Sequence, residues 1–305
     1  MTDKNTRPLY KNLTVRAYGK LNLLLDIVGV RDDGYHMLNT VMQHVSLFDT
    51  LHLEVEEGGE EGIELICDKE GFPLDSSNLI WKAAEAFKAH TGISYGGRLR
   101  VTVDKQLPSQ AGMGGGSADC AAMLKAMNTL YGTLLDEDVL SEIGLKLGAD
   151  VPFCLQDGTR LCQGVGEIMH SLPSPECWFT VIKPEVSVST PEAYKAYDRL
   201  EAPPRSQLDN FLRALASGNI YSFCIYLFNV LEEAVDLPEV RRARERLRDC
   251  GALAALMTGS GSAVFGVFAR EEHAMAAAKS LEKEYGYCRV CRPVKEGYGF
   301  VSVDR

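Results

Sequence analysis

Alternating and continuous apolar stretches predict strands in the first half of the chain. Residues 14–17, 50–55 and 98–103 alternate between apolar and polar side chains, and 21–28 form a longer apolar run. The Asp- and Gly-rich turn RDDGYH at 31–36 follows that run. These patterns predict strands early in the chain that a tight turn connects.

Apolar residues at helical spacing follow these strands, and helices and strands are interspersed along the rest of the chain. Asn78 precedes apolar positions at helical spacing, which predicts an N-capped helix, and residues 118–132 and 136–148 continue the helical pattern. The second half predicts strands at 177–184, on both sides of a loop within 255–268, and near 288–293, with helices at 190–198, 207–216, 220–234, 238–249 and 271–285. Without regular βαβ alternation, the prediction is an α+β fold of two domains, 1–165 and 166–305.

Charge and composition exclude several classes of partner. The net charge of −10 provides no general basic field for nucleic acid or an anionic membrane. No apolar run reaches the roughly 20 residues of a membrane span, and the polar N-terminal segment predicts a cytoplasmic protein. The nine cysteines are spaced singly apart from one CxxC at Cys288 and Cys291, and the histidines show no ligand spacing, so no transition-metal site is predicted.

A glycine-rich stretch between a predicted strand and a predicted helix carries the clearest chemical signal. Glycines allow the backbone to approach a ligand closely, and the following helix adds the positive end of its dipole. The stretch is therefore predicted to bind a polyphosphate. It consists of Pro108, Ser109, Gln110, Ala111, Gly112, Met113, Gly114, Gly115, Gly116 and Ser117.

The common phosphate and nucleophile motifs do not fit this stretch. A Walker A loop requires a lysine after the last glycine, and a dinucleotide loop requires a glycine where Ser117 stands. The G-x-S-x-G motif of a nucleophile elbow is absent here and in TGSGSA at 258–263. The stretch is therefore predicted to be a phosphate-binding loop of another family.

Several motifs together resemble one family along nearly the whole chain. Residues 108–122 resemble the second motif of the GHMP kinases. AYGKLN at 17–22, RDDGYHMLNT at 31–40 and LGADVPF at 147–153 resemble segments of the 4-diphosphocytidyl-2-C-methylerythritol kinases within that family. GVGE at 164–167, STPEAY at 189–194 and MTGSGSA at 257–263 continue the match in order.

The resemblance implies a fold and a reaction. The fold would join an N-terminal domain like the second domain of ribosomal protein S5 to a ferredoxin-like C-terminal domain. The reaction would be the ATP-dependent phosphorylation of the 2-hydroxyl of 4-diphosphocytidyl-2-C-methyl-D-erythritol, in the non-mevalonate route to isoprenoids. ATP and Mg²⁺ would be required, and Ser117 is the candidate Mg²⁺ ligand. A monomer and a homodimer both remain open.

The resemblance also assigns roles to individual residues. Asp150 matches the catalytic base and Lys20 the cation that stabilises the transferred phosphoryl group, an arrangement that suits phosphoryl transfer to an alcohol. Asn78 matches a position near adenine, although an N-capping role explains it equally well. The substrate residues would be Asn22, Tyr35, His36, Val165, Tyr194, Gly259 and Ser260, with the two tyrosines stacking on cytosine and His36 bonding its edge.

Two alternatives remain open on the sequence alone. The first is another GHMP kinase, acting on homoserine, mevalonate or a sugar, but those substrates carry no cytosine for the RDDGYH segment to bind. The second is a nucleotide-binding module without catalysis, against which the presence of both Lys20 and Asp150 argues.

Overall fold

Two long strands form the centre of the first domain. The computed structural model describes residues 8–58 and 60–304. Strand β1 (Asn12–Val30) runs antiparallel to β2 (His36–Glu57) along most of its length. β1 joins the two predicted strands at 14–17 and 21–28, and its register with β2 shifts between Tyr18 and Lys20 and again between Asn22 and Leu24. Such irregularities change the direction of side chains on a strand.

The remaining strands of the first sheet extend on both sides of this pair. They are β3 (Gly62–Ile66), β4 (Gly97–Asp104), β5 (Thr159–Gly164), β6 (Ile168–Leu172), β8 (Phe228–Asn229) and β12 (Tyr298–Asp304). The main path is β12-β1-β2-β4-β3, with β5 on β2, β6 on β5 and β8 on β1. The sheet is therefore built from both ends of the chain.

Four helices belong to the first domain: α1 (Leu79–Thr91), α2 (Gly115–Leu130), α3 (Glu137–Leu145) and α4 (Val151–Cys154). The predicted cap of α1 is confirmed, because the Asn78 side chain accepts a hydrogen bond from the Ile80 amide at 2.9 Å. α2 is buried along most of its length among α1, α3, α4 and the sheet. Burial of α2 fixes the position of the glycine-rich stretch at its N-terminus.

The second domain is an antiparallel sheet with helices against it. Its order is β11 (Tyr287–Cys291), β7 (Trp178–Lys183), β10 (Val264–Phe268) and β9 (Ala254–Met257). Helices α9 (Pro238–Asp249) and α10 (Glu271–Leu281) pack on this sheet. The connecting helices are α5 (Thr190–Tyr197), α6 (Leu208–Ala216), α7 (Ile220–Ile225) and α8 (Val230–Val235). The α+β class and the two-domain arrangement are confirmed.

The prediction of a single helix over residues 220–234 is wrong. The chain instead forms α7, the short strand β8 and α8. β8 pairs in parallel with Leu24 and Leu25 of β1, and Asn229 caps α8 through its carbonyl oxygen. The Asn229 amide group also donates to the carbonyls of Met257 and Gly259, at 2.8 Å each. The strand pairing and the hydrogen bonds to these distant residues override the local helical pattern.

Strand pairing crosses the predicted domain division after residue 165. β6 and β12 both lie in the 166–305 part, yet β6 pairs with β5 and β12 with β1. The division itself stays a prediction, and the pairing favours a boundary between β6 and β7 with the last strand returning to the first domain. The described residues contain no helix with the length and apolar character of a membrane span.

Candidate active site

One cavity contains the whole set of predicted site residues. Its volume is about 1210 Å³, above the roughly 300–1,000 Å³ of most small-molecule pockets. It lies between the two domains, because the glycine-rich stretch and the TGSGSA loop both line it. A cavity of this size has room for two ligands side by side. The predicted residues in its wall are Lys20, Asn22, Tyr35, His36, Asn78, residues 108–117, Asp150, Val165, Tyr194, Gly259 and Ser260.

The lysine and the carboxylate of the predicted catalytic pair meet in this cavity. Lys20 Nζ lies 3.3 Å from Asp150 Oδ2, and the lysine side chain is 4% exposed whereas the aspartate is 38% exposed. Lys20 also donates to Asn22 Oδ1 at 2.6 Å, as expected for two residues on the same face of a strand. The buried cation is thus held in place, and the carboxylate faces the cavity.

Asp150 lies at the start of an element that was not predicted. The predicted helix 136–148 ends before Asp150, and no element was predicted at 150, but Asp150 is the N-cap residue of the short helix α4. Phe153 of α4 stacks on His44 with ring centroids 4.2 Å apart, and His44 Nε2 donates to the Gln156 carbonyl at 3.0 Å. Burial lowers the pKa of His44 to about 4, so the ring is neutral. His44 therefore supports the segment that carries Asp150.

The glycine-rich stretch contacts Lys20 directly. α2 begins at Gly115 and not near Ser117, so Gly115, Gly116 and Ser117 form its first turn. Gly114 has φ +69, and a Cβ at that position would lie 3.0 Å from Lys20 Cε. Lys20 also donates its backbone N–H to the Met113 carbonyl at 2.9 Å. The amino end of a buried helix therefore opens beside the lysine, which is an arrangement suited to phosphate.

The TGSGSA loop of the second domain packs on this stretch. Thr258 Oγ1 donates to the Gly112 carbonyl at 3.2 Å and accepts from the Asn22 backbone N–H at 3.0 Å. A Cβ on Gly112 would lie 1.9 Å from the Thr258 carbonyl oxygen, so only glycine allows this approach. Gly259 and Ser260 thereby reach the cavity wall.

A buried ion cluster beside the loop was not predicted. Lys105 donates to Asp119 at 2.7 Å and also to Asp49. Burial opposes the charge on Lys105, but the two carboxylates outweigh it and raise its pKa. Burial also raises the pKa of Asp119, although Lys105 opposes this shift. Only the position of Lys105, three residues before the glycine-rich stretch, could have indicated its involvement.

The residues predicted for cytosine lie at the other end of the cavity. The Tyr35 side chain is 65% exposed at the end of the RDDGYH turn. His36 packs against Tyr194, with ring centroids 4.8 Å apart and planes at 43°, and bonds Asp198 through Nε2 at 2.7 Å. Tyr194 is more enclosed, and burial raises the pKa of its hydroxyl. Asp198 was not predicted, although Tyr194 and Asp198 are four residues apart on one helical face.

The position of Asn78 agrees with its capping role. Its carbonyl oxygen accepts from Ile80, and its amide group donates to the Pro73 carbonyl at 2.7 Å. Both ends of the side chain are engaged locally, while the residue still borders the cavity. Contact with adenine stays a prediction.

Comparisons with known proteins agree with this geometry. Residues 78–158 match the GHMP kinases N terminal domain, and residues 211–288 match the GHMP kinases C terminal domain. A 4-diphosphocytidyl-2-C-methyl-D-erythritol kinase from Caldicellulosiruptor bescii is 39% identical over 94% of this chain and 100% of its own length. The chain belongs to the 4-diphosphocytidyl-2-C-methyl-D-erythritol kinases of the GHMP family.

Solved structures support the same assignment. A crystal structure of 4-(cytidine 5'-diphospho)-2C-methyl-D-erythritol kinase matches with a TM-score of 0.76 and 32% identity, covering 92% of this chain and 99% of that one. Homoserine kinase from Cytophaga hutchinsonii matches with a TM-score of 0.75, 96% coverage of this chain and 98% of that one, but only 19% identity. The second match supports the fold alone. This GHMP kinase is an ATP-dependent small-molecule kinase.

Proposed function

We propose that this kinase transfers the γ-phosphoryl group of ATP to the 2-hydroxyl of 4-diphosphocytidyl-2-C-methyl-D-erythritol, producing ADP and the 2-phosphate for the non-mevalonate route to isoprenoids. The observation that carries the proposal is the Lys20–Asp150 pair, 3.3 Å apart and next to the glycine-rich stretch. The same cavity contains an aromatic and histidine cluster at its other end. One cavity would therefore contain both the site of phosphoryl transfer and the site that binds the base of the substrate.

Asp150 is the proposed general base. Phosphoryl transfer to an alcohol requires a group that takes the hydroxyl proton and positive charge that stabilises the phosphoryl oxygens. The Asp150 carboxylate faces the cavity, and Lys20 is held next to it by Asn22. Lys20 would stabilise the developing negative charge, while Asn22 would orient the lysine and border the reacting hydroxyl. The proton would move from the 2-hydroxyl to Asp150 as the new oxygen–phosphorus bond forms.

The triphosphate is proposed to lie along residues 108–117. Their backbone amides and the N-terminus of α2 supply hydrogen-bond donors and the positive end of a helix dipole. Phosphate binding by backbone amides suits a protein of net charge −10, because it does not depend on a general positive field.

Mg²⁺ is proposed to assist at the phosphates. The described residues contain no group of three or more His, Cys, Asp or Glu side chains that could hold a metal ion. Mg²⁺ is often held by one or two protein ligands together with substrate phosphates, so the site fits that mode. Ser117, in the first turn of α2, would be the protein ligand. The ion would neutralise phosphate charge when bound.

The cytidyl group is proposed to occupy the opposite end. Tyr35 would stack on cytosine, His36 would bond its edge, and Tyr194 would enclose it from the other side together with Val165. Gly259 and Ser260 would border the diphosphate and the methylerythritol between the two ends. This arrangement favours the named substrate over homoserine, mevalonate or a sugar, none of which has a base.

The cellular setting belongs to the same proposal. All nine cysteines are unpaired thiols, which agrees with a reducing compartment such as the cytoplasm. A monomer and a homodimer both remain compatible with the proposed reaction.

Competing substrates test the proposal directly. Purified protein with ATP and Mg²⁺ should release ADP in the presence of 4-diphosphocytidyl-2-C-methyl-D-erythritol and far less with mevalonate or homoserine. Phosphorus NMR should then show a new phosphomonoester. Equal or greater turnover of mevalonate or homoserine would replace the proposed substrate. Absence of ADP release with all three would favour a nucleotide-binding module without catalysis.

A further inference from the structure

His36 is held by three side chains of one helix. Tyr194, Tyr197 and Asp198 lie on the same face of α5 and its C-terminal cap. The two tyrosine rings contact the imidazole at centroid distances of 4.8 and 5.9 Å, and Asp198 Oδ1 lies 2.7 Å from His36 Nε2. The helix thus fixes both the plane of the ring and the partner of one nitrogen.

The aspartate determines which nitrogen carries the proton. A carboxylate can only accept hydrogen bonds, so Nε2 of His36 must donate to Asp198. In the neutral ring the other nitrogen is then an acceptor. No described residue bonds His36 Nδ1, and His36 lines the cavity. An acceptor is therefore available to a ligand.

Cytosine and uracil differ in the group that such an acceptor would meet. At position 4 cytosine carries an amino group, which donates hydrogen bonds, whereas uracil carries a carbonyl oxygen, which only accepts. An acceptor at Nδ1 therefore bonds cytosine and repels uracil, while a proton at Nδ1 would reverse the preference.

The charge of Asp198 contributes little to the stability of the fold at this position. It caps the C-terminal end of α5, where the helix dipole disfavours negative charge. In the described part of the chain, His36 is the only side chain that forms a hydrogen bond with the Asp198 carboxylate. Its side chain is otherwise exposed.

We infer that Asp198 is a positioning residue that sets the base specificity of this kinase, by holding His36 in the tautomer that accepts a hydrogen bond from cytosine. The inference rests on the proposed function, because it concerns the base of the proposed substrate.

Kinetic selectivity tests the consequence for the substrate. For Asp198→Asn, kcat/KM is measured with the cytidyl substrate and with its uridyl analogue. The amide can both donate and accept, so both tautomers become accessible, and the cytidyl-to-uridyl ratio should fall by about tenfold. Asp198→Glu keeps the carboxylate, so this variant should retain more of the cytidyl-to-uridyl ratio than Asp198→Asn does. Glu201→Gln removes the same charge from an exposed site three residues away and should leave the ratio unchanged.

Nitrogen NMR of the imidazole tests the tautomer without any substrate. In mildly alkaline buffer, His36 of the wild-type protein should carry its proton on Nε2, and Asp198→Asn should show a mixed population. His36→Gln identifies the signal among the six histidines.

The two measurements separate this inference from the proposed function. A wild-type proton on Nδ1, or an Asp198→Asn variant with an unchanged tautomer and an unchanged ratio, would overturn the role of Asp198. If the wild-type enzyme does not phosphorylate the cytidyl substrate, the proposed function fails, while the NMR result still decides whether Asp198 controls His36.

Discussion

The two ends of the cavity are built in different ways. At the proposed phosphorylation end, Lys20 and Asn22 are buried, and their backbone N–H groups donate to the Met113 carbonyl of the glycine-rich stretch and to Thr258 Oγ1 of the TGSGSA loop. At the base end, Tyr35 is 65% exposed, and the other groups are aromatic and charged side chains of α5 and the RDDGYH turn. The first end depends on close backbone packing, and the second depends on side chains near the rim.

The difference matches the role proposed for each end of the cavity. Transfer of a phosphoryl group requires reacting atoms in a narrow range of positions, and a displacement of 1 Å can cost about 10²-fold in rate. Binding a flat base remote from the reaction tolerates more movement, because stacking depends mainly on contact area. Substitutions at the first end should therefore reduce turnover, whereas those at the second should reduce affinity and selectivity.

The largest effect is expected for Asp150→Asn. The change removes the proposed proton acceptor with almost no change of shape, so kcat should fall by about 10²–10⁴ while ATP affinity is kept. Steady-state kinetics and an ATP titration measure both quantities. Asp138→Asn, an exposed position on α3, should retain full activity. Turnover close to wild type in Asp150→Asn would exclude Asp150 as the base.

Acid should lower the stability of the fold through His44, which packs against the segment that carries Asp150. Burial lowers its pKa to about 4 in the fold, from the ordinary histidine value of 6.5. The unfolded chain therefore binds the proton first, and stability that is present above about pH 6.5 is lost as the pH falls to about 4, by about 3 kcal/mol. Denaturant unfolding across this range should show a shallower pH dependence in His44→Phe. His90→Gln, at an exposed position, should keep the wild-type slope, and equal slopes in all three proteins would contradict the assignment.

Crowding Lys20 should reduce catalysis at the proposed phosphorylation end. Gly114→Ala places a Cβ 3.0 Å from Lys20 Cε, so we expect kcat/KM to fall by about 10²-fold. Gly218→Ala is a matched control, since its φ of +68 is nearly the same as the +69 of Gly114 but no atom lies within 4 Å of the added Cβ. It should cost about 1–2 kcal/mol in stability from backbone strain without loss of kcat/KM. Equal kinetic losses in both variants would attribute the effect to strain alone.

The smallest effect is expected at the exposed base end. Tyr35→Ala should weaken binding of the cytidyl substrate by about ten- to a hundredfold, because stacking on a base contributes roughly 1–3 kcal/mol. ATP affinity should be unchanged. Tyr221→Ala serves as the control, because Tyr221 is also 65% exposed and does not line the cavity. Weaker ATP binding in Tyr35→Ala, with the cytidyl substrate unaffected, would mean that the two nucleotides occupy the opposite ends.

The sequence by itself determined the α+β class, the N-cap at Asn78 and part of the cavity wall. Local patterns carry part of this information: the glycines of 108–117 allow that backbone to approach a ligand closely, and the two-residue spacing of Lys20 and Asn22 puts both on one face of a strand. The other site residues followed from the resemblance to one kinase family. Every predicted site residue accordingly borders one cavity. Their chemical roles stay predictions.

Only the tertiary structure decided which distant groups support that wall. The helical pattern over 220–234 gives no sign that Asn229 will bond carbonyls about 30 residues away, and β12 returns to β1 from the other end of the chain. Lys105 meets Asp49 across 56 residues, and His36 meets Asp198 across 162. Hydrogen bonds and ion pairs across such separations depend on how the domains pack and leave no periodic signal in the chain, so sequence patterns predict the elements but not these partners.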